Sequence, residues 1–202
     1  MLIPNPLPVH PHPEDRDEII DWARALLEKR EFVILDTETT GTDKSDEVVQ
    51  IGIVDADGND LIDSLVRPEK PRAMPEAAAR VHGITMPMLA SAPTFFDLAP
   101  KIIDCTKGRL VICYNDRFDM RLIRQTADKY ELHKRGRKLS LESECAMLAY
   151  SQFIGEPGRY GDDYAWQKLP RLAVEKNHSA AEDCRLTLQL IQELAQVRKD
   201  SE

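Results

Sequence analysis

The chain has 202 residues, 42% of them hydrophobic and 31% charged, enough for a real core and most often one domain. No run approaches the roughly 18 uninterrupted apolar residues of a membrane span, so no membrane association is expected. With 27 Lys and Arg against 35 Asp and Glu, the formal net charge is −8. That argues against a protein that coats nucleic acid through long-range attraction, and any grip on phosphate must be local and shaped.

Residues 1–13 carry five prolines and two histidines. They lack the basic and apolar regions of a secretory signal. This stretch reads as an extended arm, packed on the domain or on a partner, with His10 and His12 solvated. Residues 14–202 then form a single domain that opens with a helix. Over 14–30 the apolar positions Ile19, Ile20, Trp22, Ala23, Leu26 and Leu27 recur at helical spacing. Residues 32–35 form a buried strand ending at Asp36. The stretches 47–55 and 61–67 are β-rich and separated by Asp57-Gly58-Asn59-Asp60, a hairpin signature that predicts an antiparallel meander. The acids around that turn do not make a calcium loop, because Gly58 falls in the fourth place and Val66 stands where the twelfth-place glutamate belongs.

Helices are expected at 75–81, 94–104, 118–130, 145–152, 166–175 and 180–197. A strand is expected at 110–114, a short one at 139–142, and a loop at 155–163. The pattern predicts one α/β domain with a mixed sheet. Cys105, Cys113, Cys145 and Cys184 contain no C-x-x-C pair, so they read as small apolar residues of a reducing cytosol, with a zinc site or disulfides as the alternative. A cytoplasmic protein is expected.

The chemistry begins at Asp36-Thr37-Glu38-Thr39-Thr40-Gly41. Residues two apart on a strand share a face, so both carboxylates project together about 7 Å apart. Acids at the end of a buried strand lose solvation, and a hard divalent cation compensates for that. Asp119 follows the strand 110–114, whose end converges on the same sheet edge. His178 and Asp183 flank the start of the last helix. Each of these residues alone has an ordinary reading as a surface or capping group; together they are specific.

Asp36-x-Glu38-Thr39-x-Gly41, Asn115-x-x-Phe118-Asp119 and His178-x-Ala180-x-x-Asp183, in this order, resemble the three exonuclease motifs of the DEDDh family. That family includes the proofreading epsilon subunit of bacterial DNA polymerase III and RNase T. Val81-His82-Gly83-Ile84-Thr85 and Lys168-Leu169-Pro170-Arg171-Leu172-Ala173 are similar to the epsilon-type subgroup. The likeness runs from about Phe32 to Leu194. Relatives often carry His where Tyr114 stands and small residues where Asp116 and Arg117 stand.

The resemblance implies a ribonuclease-H-like fold, α/β with a mixed five-stranded sheet flanked by helices. It also implies a 3′–5′ exonuclease acting on single-stranded nucleic acid, DNA ahead of RNA, through two divalent cations, Mg²⁺ or Mn²⁺. Asp36, Glu38, Asp119 and Asp183 would hold the ions and His178 would serve as general base. Thr39, Glu38, Asn115, Phe118 and His178 would meet the substrate. Partners are then DNA or RNA 3′ ends and, by family analogy alone, a DNA polymerase or repair complex. The alternatives are an RNase T-like or oligoribonuclease-like exoribonuclease and a non-catalytic nuclease-fold module. Between Arg117 and Lys138 stand eight cations (Arg117, Arg121, Arg124, Lys129, Lys134, Arg135, Arg137, Lys138) and three acids (Asp119, Asp128, Glu131), a local +5. This reads as a solvated face or as a phosphate-tracking ridge.

Overall fold

Strand β1 (Phe32–Thr39) lies at the centre of the molecule because both of its faces are apolar. Phe32 and Ile34 are buried in one hydrophobic cluster, Val33 and Leu35 in another. The computed structural model describes residues 1–69, 73–159, 163–170 and 179–199. Its sheet has the order β3 (Asp60–Leu65), β2 (Val48–Asp55), β1, β4 (Leu110–Cys113), β5 (Ser143–Cys145). The first three strands form an antiparallel meander, and β4 and β5 run parallel to β1. This is the mixed five-stranded sheet of a ribonuclease-H-like fold.

Helices cover both faces. On one lie α1 (Pro13–Lys29), α6 (Ala146–Ile154) and α7 (Ala180–Gln196), whose Ile20, Phe153, Leu190 and Ile191 meet Phe32 and Ile34. On the other lie α4 (Phe95–Thr106) and α5 (Asp116–Lys129), whose Phe95, Ile102 and Leu122 meet Val33 and Leu35. Each such fully buried side chain contributes roughly 1.5–3 kcal/mol. The short helices α2 (Glu76–His82) and α3 (Met86–Leu89) close over Val49, with Ile84 and Leu89 buried beside it.

Local chemistry sets the ends of these elements. Pro13 occupies the first turn of α1, where its missing N–H costs nothing. The β2–β3 turn places Gly58 at φ +83°, and the Asp55 carboxylate accepts the Asp57 and Asn59 N–H groups; it is a turn, as its sequence indicates. Helix α4 opens on a reciprocal Thr94–Asp97 cap. Pro100 inside that helix removes the N–H that would reach the Phe96 carbonyl. The Arg137 guanidinium donates to that carbonyl instead and lies 3.6 Å from the centroid of the Phe96 ring.

Four expectations are corrected. Strand β1 continues to Thr39 because β2 pairs with it along that whole length, so Asp36 and Glu38 lie within the strand. The last strand is Ser143–Cys145 and not 139–142: Leu139 and Leu141, which suggested it, turn their apolar surface to the α4–α5 cluster. Residues 166–170 are not helical. The Gln167 N–H donates to the Ser151 hydroxyl and its carbonyl accepts from Tyr114, contacts that hold the segment extended. The rest of the helix expected at 166–175 lies outside the described residues, as do residues 160–162 of the loop expected at 155–163.

His10, expected to be solvated, is 6% exposed. Its Nε2 donates to the Gln152 carbonyl at 2.6 Å, its Nδ1 accepts the His12 N–H, and its ring fills the space beside Gly155. Leu2 is buried as well, and its N–H donates to Glu193 of α7. The arm therefore lies against α6 and α7. All four cysteines are free thiols, with Cys113 and Cys184 buried.

Candidate active site

The alternation of β1 sends Asp36 and Glu38 to the α7 side of the sheet, the side of Phe32 and Ile34. Asp183 arrives there from the first turn of α7. One carboxylate oxygen of each of Asp36, Glu38 and Asp183 lies within 4.8 Å of the other two. Glu38 and Asp183 are buried and Asp36 is half-buried.

A glycine makes this convergence possible. Gly52 of β2 stands opposite Asp36 in the antiparallel register. A Cβ at Gly52 would lie 2.5 Å from the Ala180 carbonyl carbon and 2.5 Å from the Ala181 nitrogen. The backbone of α7 thus rests directly on the sheet, next to the strand that carries Asp36. The Ala180 N–H donates to the Gln50 side chain at 3.3 Å, and the Cys184 thiol donates to the Gly52 carbonyl at 3.4 Å. The first turn of α7 is therefore fixed at both its start and its inner face.

Asp119 lies apart from these three. It comes from α5 on the opposite face of β1, is buried, and accepts the Thr37 hydroxyl at 2.7 Å. Burial pushes its carboxyl up to about 7, while the bond from Thr37 pulls the other way. His178 lies outside the described residues; it directly precedes Ser179, the N-cap of α7.

The remaining site residues ring the end of β1. The Thr39 hydroxyl donates to the Gly41 carbonyl, and the Thr39 carbonyl accepts Nε2 of buried His82 at 3.2 Å. His82 Nδ1 accepts the Ile84 N–H, which places the ring proton on Nε2. Asn115 is the N-cap residue of α5, and its carbonyl accepts the Phe118 and Asp119 N–H groups. Phe118 is half-buried against the α4–α5 core, with the Arg121 guanidinium 5.5 Å from its ring centroid. Sequence reasoning gave no role to Thr37, Gln50, Gly52 or His82. Gly52 left a signal, since a lone glycine inside an apolar strand marks a close backbone approach, and His82 stands in the epsilon-like stretch 81–85.

Three carboxylates this close repel one another, and their partial burial raises the cost of charging them. Hard divalent cations, which prefer oxygen donors, offset both effects. The donor set fits such ions.

The exonuclease family RNase T matches residues 33–191. The chain is 38% identical over 172 residues to the uncharacterized exonuclease CP81 of Escherichia phage 186, covering 81% of this chain and 87% of that protein. It is 27% identical over 179 residues to DNA polymerase III subunit epsilon of Treponema pallidum, covering 85% and 80%. In fold it is similar to E. coli exonuclease I in complex with a dA16 oligonucleotide, with a TM-score of 0.58 and 16% identity, over 84% of this chain. It spans only 41% of that chain, and 12% of the longer DNA polymerase III PolC-type protein of Thermotoga maritima. No described helix is long and apolar enough to cross a membrane. The chain therefore belongs to the RNase T family of exonucleases and is a hydrolase.

Proposed function

We propose that this protein is a 3′–5′ exonuclease that removes nucleotides from the 3′ end of single-stranded DNA, with His178 as general base. The observation that carries the reading is the convergence of Asp36, Glu38 and Asp183 within 4.8 Å from two different elements. A DNA substrate is supported by the epsilon-type relative and by the oligonucleotide bound to exonuclease I.

Asp36, Glu38 and Asp183, with Asp119 from across the strand, would hold two divalent cations, Mg²⁺ or Mn²⁺. Such ions supply an activated water and neutralise the charge on the leaving oxygen. His178 accepts the proton of the attacking water, a task suited to a neutral imidazole. Thr39 meets the terminal nucleotide, and His82 steadies it by donating to its carbonyl. Glu38 senses the 3′-hydroxyl. Asn115 and Phe118 flank the strand at the start of α5.

Asp36→Ala and Asp183→Ala should each abolish divalent-dependent hydrolysis while circular dichroism stays native. His178→Ala should lower turnover by a few orders of magnitude with oligonucleotide binding retained. The discriminating experiment follows 3′- and 5′-labelled DNA and RNA oligonucleotides with Mg²⁺, Mn²⁺ or EDTA. Full activity in either carboxylate variant would sink the assignment. Loss of the 5′ label first would reverse the polarity, and faster loss of RNA would replace the substrate.

A further inference from the structure

We propose that a groove along α5 is a second nucleic-acid subsite, one that carries the single strand upstream of the scissile bond; the proposal rests on the exonuclease reading above. The groove, about 650 Å³, runs between α5, the 3-10 turn Leu132–Arg135 and residues 137–143. Arg117, Arg121 and Arg124 form one wall and Lys138 stands on the other, above a floor that includes Met120 and Leu141. The three arginines recur at i, i+4 and i+7, the spacing that keeps side chains on one helix face.

The structure gives the other four cations of the basic stretch partners of their own, although Arg137 also lines the groove. Lys129 turns to Glu47 at 3.1 Å, and Lys134 pairs with Glu131 at 2.7 Å. Arg135 and Arg137 lie on the Phe96 ring, and Arg137 also serves the carbonyl that Pro100 leaves open. The eight residues are therefore not one ridge. Among the described residues Arg117, Arg121, Arg124 and Lys138 have no carboxylate partner, and all four line the groove. The acids Asp116 and Asp128 sit near its two ends, and Asp116 is engaged by the Ser143 hydroxyl at 3.1 Å. A concentration of uncompensated positive charge in a chain of net charge −8 calls for a polyanion.

Position selects the polyanion. Helix α5 follows β4, which runs parallel beside β1, so it starts near the end of β1 that holds Asp36 and Glu38, with Asn115 as its N-cap residue and Asp119 in its first turn. Arg117 lies between them, so the wall begins at the active site and runs away from it. From Arg117 to Asp128 the helix rises about 16 Å. A stacked strand at about 3.4 Å per charge would place about four or five nucleotides there. The groove presents cations and aliphatic floor residues, and the Phe96 face beside it is covered by Arg135 and Arg137. Its grip is therefore on phosphate, indifferent to sequence and sensitive to salt.

The test is the triple variant Arg121→Gln, Arg124→Gln, Lys138→Gln, with the matching Arg121→Lys, Arg124→Lys pair as the charge-preserving control. Anisotropy of a fluorescent oligothymidylate dodecamer in EDTA reads the groove without hydrolysis. Turnover of the p-nitrophenyl ester of thymidine 5′-monophosphate with Mn²⁺ reads the carboxylate site without the groove. The triple variant should bind the dodecamer about tenfold more weakly and keep wild-type ester turnover. At about 0.7 per phosphate contact its salt slope should fall by about 2, so that it loses about 20-fold less affinity than wild type between about 50 and 200 mM salt. The lysine pair should behave as wild type. Unchanged dodecamer affinity and salt slope would overturn the subsite, the result expected if the groove instead held an acidic peptide. Failure of wild-type protein to cleave the ester and any oligonucleotide would overturn the exonuclease reading and leave the binding comparison to decide the groove.

Discussion

Gly52→Ala tests the positioning of the site without touching a carboxylate. The added Cβ would lie 2.5 Å from the Ala180 carbonyl carbon and the Ala181 nitrogen, both main-chain atoms that no rotamer change can move aside. Ordinary contact begins near 3.4 Å, so the start of α7 and the β2 backbone must separate by roughly 1 Å. Asp183 travels with α7, while Asp36 stays with β1, paired opposite Gly52. Metal ligands tolerate displacements of about 0.2 Å, and a misplacement of about 1 Å typically costs about 100-fold in rate. Overpacking should lower stability by about 1–3 kcal/mol, which for a chain of this size is about 2–12 °C in Tm. Gly58→Ala is the matched control. It imposes strain at φ +83° in the distant hairpin turn, with only a 3.4 Å contact to Leu188. Calorimetric titration with Mn²⁺ and hydrolysis of a 3′-labelled oligonucleotide should show weakened ion binding and about a 100-fold slower rate for Gly52→Ala alone. Wild-type ion binding and rate in that variant, or equal losses in Gly58→Ala, would refute the argument.

Arg137→Ala strips the Phe96 carbonyl of its donor and should cost about 1–3 kcal/mol, read as a lower Tm; Arg124→Ala should leave Tm unchanged. Burial raises the Cys113 and Cys184 thiols well above their ordinary range, so neither should be alkylated by iodoacetamide at neutral pH until the protein unfolds, and mass spectrometry of partially alkylated protein checks this. Asp119 has a folded-state pKa raised to about 7 from 3.8. The metal-free protein binds this proton more tightly when folded, so the contribution to stability is complete below about pH 4 and is lost as pH rises toward 7. Thermal melts in EDTA should fall across that window and fall less in Asp119→Asn, and a flat profile in the wild type would contradict the assignment.

The parts of this molecule legible in its sequence are those where one residue type answers one local demand. The alternating strands around Asp57-Gly58-Asn59-Asp60 could only form a hairpin, and Asp36 and Glu38 share a face because strand period is two. What escaped the sequence depends on packing between distant segments. Leu139 and Leu141 look like a strand, yet they serve the α4–α5 cluster and leave pairing to Ser143–Cys145. Trp166 begins an apolar pattern that suggests a helix, but Tyr114 and Ser151 hold Gln167 extended. His10 looks solvated in a proline-rich arm, and only the fold reveals the Gln152 carbonyl and the Gly155 hollow that receive it. The site divides the same way: its acids were visible one motif at a time, whereas the Thr37 bond that holds Asp119 needs two segments brought together.

The acidic balance of the chain, finally, limits how it can hold a long substrate. Of its 35 acids, Asp36, Glu38 and Asp183 converge on one side of β1 and Asp119 lies across that strand, and bound divalent ions would offset them. The chain as a whole remains acidic, so its net charge opposes long-range attraction to phosphate, and the α5 groove supplies the local grip. A strand released from the groove is not held by long-range attraction to a chain of net charge −8, and dissociation returns it to bulk solution. Processivity should be low for the isolated chain and should fall further as salt rises. A trap experiment measures this: labelled single strand is bound first, then Mg²⁺ is added together with excess unlabelled strand. A few nucleotides lost per encounter is the expected result, and digestion of a long strand to its end in one encounter would contradict the electrostatic argument.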